Sequence, residues 1–296
     1  MATTGEMNAV RIHEYGGTEV ICYERAPVPE IDQDEVLIKV SATAFNPVDA
    51  AIRMGVLRDI FPHQMPYIPN VEASGVIEKT GAAVSSLKPG DRVFVFLDMT
   101  QDGAAAEYVV TKAFYVALAP RSIHLQDAAA IPVGALTAWQ GLFQHGGLQE
   151  GQRVLITAAA GGVGSYAVQL AKWKGAYVIG TASAASFPIL QEFGIDKLID
   201  YKQQTIEEKM REKVDLILNL SPESPAEVSK LLYLLKEGGI LVSPASPADE
   251  ELARQLNVKT LRMSVQRNAG QLAQIAQLVD EGRLKTAISK RVSLTN

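Results

Sequence analysis

Cysteine occurs once in the 296 residues, at Cys22. A lone thiol excludes an intrachain disulfide and any zinc site built from several cysteines. Histidine is scarce too: His13, His63, His124 and His145 are scattered without metal-ligand spacing. Each reads as a surface or packing residue rather than a ligand. No run of Lys and Arg offers a track for a polyanion, and the formal net charge is −5. Both argue against a nucleic-acid surface. No apolar stretch approaches a membrane span, and the opening MATTGEMNAV lacks a signal peptide's apolar core. G-x-S-x-G and H-E-x-x-H are also missing, so hydrolase chemistry has no support. These absences describe a cytoplasmic protein with neither membrane nor nucleic acid as partner.

What is present falls into two textures. The hydrophobic share of 47% is enough for two domains with cores of their own. Residues 1–125 carry short alternating runs punctuated by Gly and Pro: Val36 to Val40, Ser74 to Lys79, Asp91 to Phe96 and Glu107 to Val110. They predict a partly open, barrel-like antiparallel domain. From 126 to 285 apolar runs alternate with helical stretches. The predicted strands are 154–157, 177–181, 197–200, 214–220, 240–243 and 258–265, and "SPAEVSKLLYLLKEGG" opens a helix capped by Ser224. Six strands with helical crossovers predict a doubly wound parallel sheet.

One stretch carries chemistry by itself. "ITAAAGGVGSYAVQLAKWKGAYVIGTAS" reads as a strand, a glycine turn, a helix and a second strand. From Val163, the apolar residues Val163, Ala167, Leu170 and Ala171 recur at helical spacing, and Gly175 supplies the stop. Glycine lets the backbone approach a partner closely, and unsatisfied amides at a helix start favour an anion. The dinucleotide fingerprint is G-x-G-x-x-G, and here Ala159 takes its first position. The alternative reading of these glycines is a tight turn that binds nothing.

Seven segments in this order resemble one family: "RIHEYGGTEV", "EVLIKVSATAFNPVDAAIRMG", "LKPGDRVFVF", "AAAEYVV", "AAAIPVGALTAWQGL", "GQRVLITAAAGGVGSYAVQLAK" and "LLKEGGILVS". The chain resembles the zinc-independent medium-chain dehydrogenase/reductases, in their quinone oxidoreductase (zeta-crystallin-like) branch. The resemblance implies a GroES-like β-barrel catalytic domain over 1–125, to which 286–296 returns, and a Rossmann NADPH-binding domain over 126–285. In that branch A-x-x-G-G-V-G is the usual form of the turn, so Ala159 is no departure. The expected activity is transfer of hydride from NADPH to a quinone or an α,β-unsaturated carbonyl. A homodimer is the family default.

The same resemblance bears on zinc. Zinc-dependent relatives carry Cys where this chain has Asn46 in "FNPVD". They carry His within a G-H-E motif that here reads "NVE", Asn70-Val71-Glu72. Asn and Val supply neither thiolate nor imidazole, so no metal is expected. Hydride geometry and hydrogen bonds must then serve in place of a Lewis acid. The family points to Asn46 beside the nicotinamide as the catalytic residue and to Thr137 near its carboxamide. It assigns cofactor contacts to Ala160, Gly161, Gly162, Val163, Gly164, Asn219 and Ser243. Taken alone, Asn46 is a turn residue before Pro47 and Thr137 an ordinary helix residue. Asp49 is expected to support the loop rather than exchange protons.

Cofactor choice has evidence of its own. NAD-specific folds place an acid roughly 20 residues beyond the glycine turn, and here "GTASAAS" has none. Ser183 is able to donate to a 2′-phosphate, and Tyr201 falls where relatives have an adenosine-side tyrosine. Their usual basic residue is replaced by Ala184 and Ala185, which weakens the grip on that phosphate. Two further departures are "NLSPES" (219–224) in place of a D-x-V-G-G segment, and the end at "KRVSLTN" where relatives continue through another helix and strand. They leave a catalytically silent NADPH-binding sensor or structural protein on the same fold as the alternative.

Overall fold

Alternating runs bounded by Gly and Pro become strands in the first part of the chain. In this computed structural model, which describes residues 5–295, β1 (Glu6–Ile12) and β2 (Ile21–Pro27) form an antiparallel ribbon. The first four residues of MATTGEMNAV, and Asn296 of the 286–296 segment, lie outside the described residues. β3 (Glu35–Thr43) leads into α1 (Pro47–Arg53). Then follow β4 (Glu72–Thr80), β5 (Arg92–Phe96), β6 (Tyr108–Lys112) and β7 (Val116–Leu118). These five strands make an antiparallel sheet in the order β6-β3-β4-β5-β7. Val36, Ile38, Ala73, Ile77, Val93 and Val95 bury the face that gives this sheet its core. This is the GroES-like part.

Two helices, α2 (Leu125–Ala128) and α3 (Pro132–Trp139), precede the alternating region. It runs β8 (Arg153–Ile156), α4 (Gly162–Trp173), β9 (Tyr177–Ala182), α5 (Phe187–Glu192), β10 (Lys197–Asp200), α6 (Ile206–Lys209) and β11 (Val214–Leu218). Next come α7 (Pro225–Lys230), β12 (Leu235–Ser243), α8 (Glu250–Gln255), β13 (Lys259–Arg262) and α9 (Ala269–Asp280). All six strands are parallel, in the order β10-β9-β8-β11-β12-β13. Val154, Leu155 and Ile156 are fully buried in succession, as a strand covered on both faces requires. The strand order reverses between β8 and β11, the Rossmann pattern.

Two expectations shift in detail. "SPAEVSKLLYLLKEGG" is not one helix: Ser224 caps α7 by accepting from the Glu227 amide at 3.3 Å, and a 3-10 turn covers Leu231–Leu234. β12 then begins at Leu235, opposite Val214, and Leu231, Leu232, Leu234 and Leu235 are all buried. β11 stops at Leu218, two residues early, where Asn219 turns into a hydrogen-bond network.

Packing divides the chain into two compact units. One comprises the residues up to Val133, with Arg267–Gly282 and those from Ile288 onward; the other comprises Gly134–Gln266 and Arg283–Ala287. Sequence texture assigned 267–282 to the second domain, but α9 lies against β7. Its Asp280 carboxylate accepts from the amides of Arg121 (2.7 Å) and Ser122 (2.8 Å). In the returning segment, Arg291 pairs with Asp127 at 2.6 Å.

Candidate functional site

The glycine turn follows directly from the end of β8. Its amides are first tied down: Ala159 N donates to Thr181 O (2.9 Å), Ala158 N to Thr181 Oγ1 (3.1 Å), and Gly161 N to Ala158 O (2.9 Å). The turn is thereby pinned to the carboxyl end of β9. Gly161 is the N-cap of α4 and has no side chain to satisfy the amides beyond it. The glycines then differ. A Cβ on Gly164 would run into the Ala158 carbonyl oxygen and the Ala159 backbone, so Gly164 permits helix and strand to pack closely. A Cβ on Gly162 would meet nothing within 4 Å. Ala160, Gly161 and Gly162 are exposed, Val163 is half-buried and Gly164 is buried. The result is an open cradle of amides at a helix start, with the shape and polarity a pyrophosphate needs.

Neighbouring strand ends complete this unit's site. Ala182 and Asp200 are the last register pair of β9 and β10, so Ser183 and Tyr201 leave the sheet side by side. Ser183 is half-buried and Tyr201 is 59% exposed. Thr157 Oγ1 donates to Asn219 Oδ1 (2.8 Å) and accepts from the amides of Leu220 (2.8 Å) and Ser221 (3.1 Å). Asn219 Nδ2 donates in turn to Ser243 Oγ (3.2 Å). This network joins the carboxyl ends of β8, β11 and β12, beside the reversal of strand order where open α/β sheets bind ligands. The side chains of Asn219 and Ser243 are fully buried and committed to it; only their main chains are left to meet a ligand. Thr137 is buried on α3. One turn earlier, a Cβ on Gly134 would come within 3.1 Å of the Gly162 carbonyl oxygen, so α3 packs against the start of α4.

Asn46 belongs to the first unit and has a different setting. It is the N-cap of α1, with extended backbone and Pro47 following. Its amide N donates to Asp49 Oδ2 at 2.7 Å, and Asp49 Oδ1 accepts from Val71 N at 3.0 Å. Asp49 thus holds the start of α1 to the residue before β4, in keeping with a supporting role. The Asn46 side chain donates from Nδ2 to Glu72 Oε1 at 2.6 Å, and Glu72 Oε2 accepts from Val133 N at 2.8 Å. Glu72 is 2% exposed and Asp49 4%. Burial pushes the Asp49 carboxyl up to about 6, against the pull of its two amide donors. Burial pushes Glu72 further, to about 8, and the nearby Asp49 charge adds to the rise. Among the described residues neither carboxylate has an ion-pair partner. Asn46 itself is only part-buried.

Sequence reasoning treated Glu72 only as the last letter of "NVE" and missed its contact with Asn46. A signal exists: an ionisable residue opens the strand "EASGVIEKT", whose next three residues are small and buried.

The comparisons agree with the fold. A family model described as "Alcohol dehydrogenase GroES-like domain" matches residues 32–121, and one described as "Zinc-binding dehydrogenase" matches residues 193–296. "Quinone-oxidoreductase QR1, chloroplastic" of Triphysaria versicolor is 30% identical over 305 residues, covering 98% of this chain and 92% of that protein. "NADPH-dependent alkenal/one oxidoreductase, chloroplastic" of Arabidopsis thaliana is 32% identical over 295 residues, covering 97% and 72%. The solved structure of the quinone oxidoreductase from Coxiella burnetii matches with a TM-score of 0.87 at 29% identity, covering 96% of this chain and 91% of that one. The zinc in the second family description has no matching donors here. At the positions where zinc-dependent relatives carry the thiolate and imidazole ligands this chain has Asn46 and Val71, which supply neither. Among the described residues no cluster of three His, Cys, Asp or Glu is placed to hold a metal ion.

Proposed function

The chain belongs to the quinone oxidoreductase branch of the medium-chain dehydrogenase/reductase family, and from that premise we propose that it is an NADPH-dependent, zinc-free reductase of quinones or α,β-unsaturated carbonyls. Oxidoreductases of this family bind a nicotinamide cofactor. The observation that carries the reading is the open amide cradle at Gly162, beside the reversal of strand order.

Each residue then has a physical task. The amides of Ala160, Gly162, Val163 and Gly164 hold the pyrophosphate, Gly161 shapes the turn with its own amide bonded to Ala158 O, and the exposed Gly162 keeps room for the ligand. Ser183 donates to the 2′-phosphate with Tyr201 beside it, and no acid follows β9 to repel that charge. Asn219 and Ser243 fix the loops on which the nicotinamide half rests, and Thr137 faces its carboxamide. When bound, the cofactor supplies a hydride to the acceptor. As the acceptor takes it, an electron pair shifts onto the acceptor's oxygen. The Asn46 amide supports that growing charge by donating a hydrogen bond, and Asp49 and Glu72 keep Asn46 in position. Quinone and enone place the same demand on Asn46, an N–H aimed at an oxygen gaining charge.

No described helix is long and apolar enough to cross a membrane. A cytoplasmic setting rests on the lone Cys22, and a homodimer on the family pattern. The decisive experiment follows NADPH absorbance against a panel of quinones and enones, alongside a cofactor titration and a chelator control. Turnover that survives the chelator supports the reading. NADPH binding without turnover of any acceptor replaces it with the sensor reading, and no binding at all removes the cofactor assignment.

A further inference from the structure

Tyr67 is tied down at its backbone and at its ring, but not at its hydroxyl. Its amide donates to Ile12 O at 3.0 Å and its carbonyl accepts from Ile12 N at 2.9 Å, which bridges it to β1. The His63 ring lies against its own, with centroids 4.4 Å apart. The residue is 4% exposed. Its hydroxyl is fully buried and meets no hydrogen-bond partner among the described residues. A buried O–H so placed is costly, and folded chains keep few of them. The ring borders a cavity of about 10 Å³ inside the first unit, which is room for one water molecule. Ile52, Val71 and Met99 line it together with Asp49 and Asn70. Asp49 has acceptor capacity to spare. Its two oxygens take the amides of Val71 and Asn46, and the Asn46 side chain reaches it as well, whereas a carboxylate offers about four acceptor sites.

We propose that this cavity binds a single water molecule between the Tyr67 hydroxyl and the Asp49 carboxylate, and that Tyr67 is thereby a positioning residue for Asn46. Tyr67 donates its O–H to the water oxygen. The water donates one hydrogen to Asp49 and keeps the other for Asn70, so it has the two to four polar partners that a buried water needs. The Asp49 charge acts on the Tyr67 hydroxyl, yet the two make no direct bond, the spacing that a bridging water fills. Held from this side, Asp49 is kept from turning away from the Asn46 amide that it accepts at 2.7 Å. The positioning role rests on the reading of Asn46 as the donor to the reacting oxygen; the water site does not.

The other polar groups nearby have partners of their own, which leaves the Tyr67 hydroxyl to Asp49. Arg53 on α1 donates to the Gly16 carbonyl. Asp102 accepts from the Ile68 amide at 2.8 Å. Glu72 on β4 is taken up by Asn46 and Val133. His63 Nδ1 faces the Phe61 carbonyl at 2.9 Å. Burial first, and then the Asp49 charge, hold the Tyr67 hydroxyl well above the ordinary phenol range. It therefore stays protonated, a donor rather than an acceptor, at any pH at which the protein works.

Tyr67→Phe removes the hydroxyl and keeps the ring. A crystal structure of the full chain, at a resolution that shows ordered water, should place a water within hydrogen-bond distance of both Tyr67 Oη and the Asp49 carboxylate. The variant should lose it. Asp49 reports the same bond in solution. Its carboxyl titrates at about 6 with the water in place, and Tyr67→Phe takes a donor from its charged form. The midpoint should therefore rise by about one pH unit, read by NMR of 13C-aspartate-labelled protein without cofactor and assigned with Asp49→Asn. A ring that merely packs would leave that midpoint unmoved. Turnover of an enone should fall about tenfold, with the dissociation constant for NADPH unchanged. A dry cavity, a Tyr67 hydroxyl bonded to Asp49 directly, or an Asp49 midpoint indifferent to Tyr67→Phe overturns the proposal. If Tyr67→Phe does not melt cooperatively, the wild-type crystal structure alone decides. Where water and midpoint behave as expected but turnover holds, Asn46→Ala separates the causes. A slow Asn46→Ala removes the positioning role of Tyr67, whereas an unimpaired one leaves the water site standing and removes the reading of Asn46 as donor.

Discussion

The two units prepare for charge in opposite ways. In the second, the stretch Ala158–Gly164 contains no ionisable side chain, and its capacity to hold an anion comes from main-chain amides left open at the start of α4. In the first, the corresponding work falls to side chains. Asn46 is gripped by Asp49 and Glu72, two acids buried without an ion-pair partner among the described residues. A main-chain site is limited by space, so its residues must be small. A side-chain site is limited by desolvation, so its residues must be paired. Substitutions should therefore injure the first kind through bulk and the second through chemistry.

The sharpest test of this contrast lies within one turn of helix. Gly164→Val should prevent stable folding, because the new side chain meets backbone at Ala158 and Ala159 that has nowhere to go. Gly162→Val meets nothing in the protein and should fold with a melting temperature near that of the wild type. Its bulk would occupy the pyrophosphate's space and remove at least two charge-assisted hydrogen bonds of about 1.5–3 kcal/mol each. NADPH affinity should fall by about two to four orders of magnitude. A folded Gly162→Val with wild-type affinity would falsify the dinucleotide reading of the turn.

In the other unit, Asn46→Ala should act on rate rather than on binding. Loss of one donor to a developing oxyanion costs about 10²–10³ in kcat, with a much smaller change in the dissociation constant for NADPH. The two variants should separate cleanly, Gly162→Val in titration and Asn46→Ala in turnover. An Asn46→Ala enzyme with unchanged kcat would show that the first unit contributes no charge stabilisation of this kind.

The same contrast explains what could be read from sequence. The glycine turn, its strands and its helix are contiguous, so local pattern alone pointed to the turn and to a doubly wound parallel sheet. Ser183 was named for its hydroxyl in an acid-free loop and Tyr201 from the resemblance to relatives, and the β9–β10 register puts them side by side. Glu72 was not found, since its partners Asn46 and Val133 lie 26 and 61 residues away and meet only through the fold. Asn219 and Ser243 were named for a cofactor, yet their side chains serve the strand ends, a use that only the tertiary hydrogen bonds reveal. α9 was assigned by texture to the parallel region, although its burial against β7 and the Asp280 cap group it with the first unit.

Buried acids also give the first unit a pH signature. Glu72 has a folded pKa of about 8, raised by burial above the ordinary carboxylate value, and Asp49 has one of about 6. Between the unfolded and folded values the native state binds more protons than the unfolded state. Stability from these groups is therefore complete below the unfolded pKa and is lost as pH rises towards 8. Glu72→Gln removes the larger contribution. Its stability relative to the wild type should improve by on the order of a few kcal/mol between acid and alkaline conditions. Paired melting curves from pH 5 to 9, roughly the span of that window, would show it. A constant gap between the two proteins would mean that Glu72 is ionised throughout.

The smallest effect belongs to the one place where the main-chain site borrows a side chain. Ser183 leaves β9 beside Tyr201, and the next residues are the exposed Ala184 and Ala185 rather than a cation. Lys202, also exposed, forms no ion pair among the described residues; in the proposed reading a 2′-phosphate there is met mainly by the neutral Ser183 hydroxyl. A neutral hydrogen bond contributes about 0.5–1.5 kcal/mol. Ser183→Ala should therefore weaken NADPH by about two- to tenfold and leave NADH, which has no 2′-phosphate, unaffected. The wild-type preference for NADPH over NADH should be of similar modest size. Parallel titrations of both cofactors decide the matter. Equal weakening of the two would mean that Ser183 shapes the loop rather than touching the phosphate. The remaining preference would then rest on the missing acid alone, a discrimination built, like the glycine turn, from what the chain leaves out.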